Sequence, residues 1–119
     1  MEIVKFISKI IYDKKGEDIV IIDVSDVLKG ICDYFIIATS LSDEHARALA
    51  DEIELKLKKE KGILIDHIEG YEKGKWVLVD TGDVVVHIFD KETRAFYDIE
   101  SLYEDDKKIK YEGECSRNL

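Results

Sequence analysis

Two runs near the start of the chain, Asp18-Ile-Val-Ile-Ile-Asp-Val24 and Asp33-Tyr-Phe-Ile-Ile-Ala-Thr39, are apolar without alternation. A strand with one face in water alternates apolar and polar residues, whereas a strand covered on both faces does not. Each run is too short for a buried helix and is dominated by β-branched or aromatic residues. Both therefore read as central strands of a sheet that has material packed against each side. Such strands need helices around them, which directs the chain to the α/β class.

The helices are legible on either side. Ile3, Phe6, Ile7, Ile10 and Ile11 recur at helical spacing, and Lys14, Lys15 and Gly16 follow as stop signals, so a first helix is expected over about 2–14. Ser40 or Ser42 can cap a second, with Asp43 and Glu44 in its first turn and Ala46, Leu49, Ala50, Ile53 and Leu57 as its apolar stripe. Glu52–Lys56 and Glu54–Lys58 are expected to pair along its outer side, and Gly62 ends it. Ile63-Leu-Ile-Asp-His-Ile68 reads as a strand, and 69–74 as turns. A hairpin follows, Lys75–Asp80 and Asp83–Phe89 about a two-residue turn at Thr81-Gly82. Segments 91–97 and 99–103 read as short helices, the first largely solvated through Lys91, Glu92 and Arg94. The expectation is one domain of about five strands over 1–103, and a polar, frayed tail over 104–119.

Composition narrows the function. With 119 residues and 45% apolar content, the chain can bury one core without staples. Its formal net charge of −9 opposes a bare nucleic-acid binder, whose affinity comes from neutralising phosphates. A basic protein partner, or a neutral one met through a local patch, fits better. Cys32 and Cys115 have no metal spacing, and Cys32 beside an apolar run reads as a buried thiol. Lys5, Lys9 and Asp13 interrupt the N-terminal apolar residues, so neither a signal peptide nor a membrane span is expected, and the cytoplasm is the default location.

The hairpin carries the functional signal. A two-residue turn sets Asp80 opposite Asp83, Leu78 opposite Val85 and Trp76 opposite His87. One face then holds Val77, Val79, Val84, Val86 and Ile88, which is core. The other holds Trp76, Leu78, Asp80, Asp83, Val85 and His87. Buried in the monomer, two opposed carboxylates are costly; exposed, Trp76 and Leu78 form an apolar patch. A protein interface resolves both, with Trp76 and Leu78 at its desolvated centre and the carboxylates at a rim facing a basic partner. The competing explanation is that a helix covers this face and the Asp pair only closes the turn.

Other chemistry finds less support. His45, His67 and His87 lack mutual metal spacing, and a lone histidine on a strand is usually structural. No glycine-rich phosphate cradle follows a strand. Asp80 and Asp83 could hold a divalent metal for nucleotidyl transfer, which keeps a metal-dependent enzyme as the alternative. A third possibility is that the Trp76 face serves only as a homodimer contact.

Several segments come in a telling order: Asp33-Tyr-Phe-Ile-Ile-Ala-Thr-Ser40, Ala50-Asp-Glu-Ile-Glu54, Ile68-Glu-Gly-Tyr71, Trp76-Val-Leu-Val-Asp80, Gly82-Asp-Val-Val-Val-His-Ile-Phe89 and Arg94–Leu102. Together they resemble the ribosomal silencing factor family, also called Iojap or RsfS, from about Asp18 to Leu102. That resemblance implies an α/β fold with a mixed sheet, of nucleotidyltransferase-like topology but without the catalytic signature, often as a homodimer, with no cofactor. It also implies docking on large-subunit ribosomal protein fourteen, a block to small-subunit joining, and repression of translation. The family's interface residues carry over to Trp76, Leu78, Asp80, Val85 and His87. Tyr103 stands where a Trp is common, and the polar tail is longer than usual.

Overall fold

The computed structural model of the protein describes residues 2–113 and, through their backbone, 115–118. Helix α1 (Glu2–Asp13) leads into strands β1 (Glu17–Asp23) and β2 (Tyr34–Thr39). Helix α2 (Asp43–Lys56) continues as a π-helical turn over Leu57–Lys61. Then come β3 (His67–Glu69), β4 (Trp76–Asp80), β5 (Val84–Phe89), α3 (Lys91–Tyr97) and a 3-10 turn over Ile99–Leu102. Strands β6 (Lys108–Tyr111) and β7 (Cys115–Asn118) close the chain.

All seven strands form one sheet, in the order β3-β4-β5-β2-β1-β6-β7. The β2–β5 pair is parallel and every other neighbouring pair antiparallel, so the sheet is mixed, as expected. One face is covered by α1 and α2, where Ile7, Ile11, Leu49 and Ile53 meet Ile21, Ile36, Val77 and Val86. The other face is covered by short pieces only. There Val20, Ile22, Ile37 and Phe89 are buried beneath Leu28, Ile99 and Tyr103. The non-alternating runs at β1 and β2 follow from this double cover.

The helix ends obey local rules. Lys15 takes the left-handed conformation at φ 71° and brings the Gly16 amide to the Ile11 carbonyl at 2.8 Å. Gly16 is needed for the close approach, since a Cβ there would lie 2.3 Å from Ile11 Cγ2. At α2 the Ser42 hydroxyl accepts from the His45 amide at 3.0 Å, the expected cap. Glu52 and Lys56 approach to 3.6 Å. The expected Glu54–Lys58 pair does not close to an ion pair among the described residues, because Lys58 is carried into the π-helical turn, where the spacing of four no longer aligns side chains.

Two expectations need correction. Among the described residues the sheet has seven strands rather than about five, and residues 104–113 are not a frayed tail. β6 pairs along β1, setting Tyr111 opposite Ile19 and Ile109 opposite Ile21, and Tyr111 is buried. The physical reason is the exposed backbone of β1, which without β6 would be an apolar edge. Lys-Ile-Lys-Tyr is too short and too charged to announce that pairing on its own. No described helix is long and apolar enough to cross a membrane.

Candidate functional site

The hairpin forms, but its two-residue turn is Gly82-Asp83, one position further along, with Thr81 paired across to Val84. The Asp80 carboxylate accepts from the Gly82 amide at 2.8 Å, and the Thr81 amide and hydroxyl both donate to the Val84 carbonyl. Gly82 at φ 101° supplies the left-handed residue that such a loop needs. Pairing is thereby displaced by two positions from the expected register. Asp80 lies opposite Val85, Leu78 opposite His87 and Trp76 opposite Phe89. A displacement of two leaves every side chain on its own face. Val77, Val79, Val84, Val86 and Ile88 are accordingly core, none more than 2% exposed.

Asp83, in contrast, leaves the face. It sits in the loop, where its carbonyl accepts from the Asp33 and Tyr34 amides. The opposed carboxylate pair assumed by the enzyme alternative does not form. Asp80 is turned instead to Gly82 and to His67, whose Nδ1 lies 3.7 Å from Asp80 Oδ2. No group of three or more metal-ligating side chains occurs among the described residues.

Trp76, Leu78, Asp80 and Val85 are half-buried. The position of His87 is a correction: it does not project to solvent but is 5% exposed. Its ring accepts the Trp76 indole N–H on Nδ1 at 3.1 Å and meets Phe35 edge-on with centroids 4.6 Å apart. Burial holds its pKa down at about 4, so the imidazole is neutral near pH 7. His87 thus orients Trp76 from beneath. The Trp76 ring centroid lies 4.7 Å from that of Phe89 and 4.8 Å from that of Tyr97.

Around this centre the fold adds residues that strand alternation did not identify. β3 pairs outside β4 and brings Glu69 opposite Leu78 and His67 opposite Asp80. His67 Nε2 lies 2.9 Å from Glu69 Oε2. On the side of α3, Phe96 (81% exposed), Tyr97 (52%) and Leu102 (77%) form an apolar rim. Arg94 holds that rim down. Its guanidinium donates twice to the Glu100 carboxylate at 2.8 and 2.9 Å, and once each to the Asp18 carbonyl and the Thr39 hydroxyl at 2.8 Å. Arg94 is therefore a half-buried clamp, not a solvated charge. Cys32 is buried as expected, and burial together with Asp80, Asp33 and Asp83 pushes its thiol pKa up.

A half-buried tryptophan and leucine thus lie with an acidic edge and an apolar rim around them. Comparison with family models matches residues 1–118 to RsfS, described as ribosomal silencing factor during starvation. The chain belongs to the RsfS family. A ribosomal silencing factor RsfS of Halalkalibacterium halodurans is 41% identical over 104 residues, 87% of each chain. A crystal structure of an RsfS homologue from Chromobacterium violaceum shares 44% identity at a TM-score of 0.80, covering 86% of this chain and 83% of that one. A mouse protein named mitochondrial assembly of ribosomal large subunit protein 1 is 31% identical over 93 residues, 76% of this chain and 40% of the mouse chain. The RsfS name denotes a ribosome-associated regulatory factor and not an enzyme.

Proposed function

We propose that this RsfS-family chain represses translation in the cytoplasm by docking on large-subunit ribosomal protein fourteen through the Trp76 face, so that the small subunit cannot join. The observation that carries the reading is the half-buried Trp76–Leu78 centre, on the sheet face that α1 and α2 leave uncovered. Val85 lies beside that centre, Asp80 edges it toward a basic partner, and His87 acts through Trp76. The −9 charge speeds encounter with a basic protein, in a salt-dependent way. Blocking needs occupancy alone. A body measuring 33 × 32 × 26 Å on a joining surface keeps another surface from contact distance.

The test is sedimentation of purified subunits with the protein and with Leu78→Lys, which places a charge at the desolvated centre and removes neither the turn nor the Trp76–His87 hydrogen bond. Loss of co-sedimentation and restored subunit joining are expected, with affinity down at least about tenfold. A correctly folded Leu78→Lys that still co-sediments refutes the assignment. Light scattering of the same variant reads self-association, the other contact this face can make.

A further inference from the structure

A second surface lies on the opposite side of the sheet. Between the C-terminal half of α2 and the extended segment that follows it, Leu55, Ile63, Leu64 and Ile65 line an open groove of about 620 Å³. Leu55 is 57% exposed and Leu64 69% exposed. Single apolar residues scattered on a surface are ordinary, but two large leucines meeting in one concavity of ligand-pocket size are not. Asp51 and Glu54 stand at the same groove, one helical turn apart on α2, and Lys58 lines it as well, so its charged groups are two carboxylates and one ammonium. The Tyr71 hydroxyl donates to both Asp51 oxygens at 2.9 Å and fixes that carboxylate in place. β3, next along the chain, is an edge of the sheet.

We propose that this groove docks a short segment of a partner protein, one bearing a bulky apolar side chain followed closely by lysine or arginine. The apolar floor takes the first and the two carboxylates the second, the usual division between anchor and rim. Charge favours this occupant at this groove: its two carboxylates outnumber the one ammonium of Lys58 and suit a basic side chain better than the acidic surface of a second copy, whose net charge is −9. The groove belongs to the helical side of the sheet and Trp76 to the other, so one molecule can hold both partners at once. The inference does not rest on the ribosome-docking reading.

The probe is a displayed library of random peptides about twelve residues long, enough for one helical or extended docking motif. It is selected on the intact chain, and the enriched peptide is then measured in synthetic form by fluorescence anisotropy. Enrichment of an apolar residue with a basic one within the next four positions is expected. Leu64→Glu should weaken that peptide at least about tenfold, while leaving co-sedimentation with large subunits unchanged. Asp51→Asn with Glu54→Gln, which keeps shape and removes charge, should weaken it about three- to tenfold, and answers the objection that Leu64→Glu perturbs the fold. The proposal is overturned if no sequence is enriched, if the enriched peptide is indifferent to both variants, or if Leu64→Glu converts a dimer to monomer.

Discussion

His87 makes the stability of this protein depend on pH in a direction that can be worked out from its burial. In the folded chain its pKa lies at about 4, against 6.5 for an unhindered imidazole. Between those values the unfolded state binds a proton that the folded state refuses. Stability therefore falls as pH falls. The loss begins as pH drops through 6.5 and is complete below about 4. At roughly 1.4 kcal/mol per pH unit, the full loss is about 3 kcal/mol, most of it developed by about pH 4.5. Denaturant unfolding followed by the fluorescence of Trp76, the sole tryptophan, gives the free energy at each pH. Carboxylates also titrate in this range, so the comparison is with His87→Gln, which keeps an acceptor for the indole and has no proton to gain. The difference between the two proteins should change by about 2–3 kcal/mol from pH 7.5 to 4.5, with the wild type losing more. Parallel curves would mean that water reaches the imidazole and that His87 is not a sealed support for Trp76.

Three other outcomes follow from the packing. Gly70→Ala should destabilise by about 2–4 kcal/mol in a thermal melt, because the new Cβ would lie 2.1 Å from the Trp76 carbonyl oxygen at a φ of 74°. Ser8→Ala should raise stability by about 1 kcal/mol, since the Ser8 hydroxyl is fully buried on α1 and has no hydrogen-bond partner among the described residues. Arg94→Lys should cost about 1–3 kcal/mol in denaturant unfolding and speed amide exchange in α3, because an ammonium cannot reproduce the fork that holds Glu100, Asp18 and Thr39 together.

Much of this architecture was legible in one dimension because periodicity survives errors of detail. The stripe of α2, its Ser42 cap and the doubly apolar β1 and β2 each follow from a local pattern, and local patterns do not depend on what lies across the sheet. The hairpin is the instructive case. Asp80 takes the Gly82 amide and the turn sits one position later, at Gly82-Asp83, so the register differs by two while the faces stay as expected. Trp76, Leu78, Asp80 and Val85 thus kept their side. His87 kept its side too, but its burial depends on Phe35, which the parallel register sets beside Val85 on the adjoining strand. No spacing within the hairpin encodes that. Arg94 was misread for a similar reason, since three charged residues in a seven-residue helix look solvated until Asp18 and Thr39, far away in the chain, are placed beside them. β6 escaped because its signal lies in the strand it covers.

The parallel union of β2 with β5 has a consequence for synthesis. It joins segments some fifty positions apart, as the bond from the Ser40 amide to the Phe89 carbonyl illustrates, and all of α2 and the hairpin lie between them. A polypeptide emerging from its N-terminus cannot zip its middle until Phe89 is free, and cannot shield β1 until Tyr111 follows. Until then its apolar ribbons stand open to wrong partners. A fragment released before Phe89 would never assemble the Trp76 face, so that face waits on most of the domain being made.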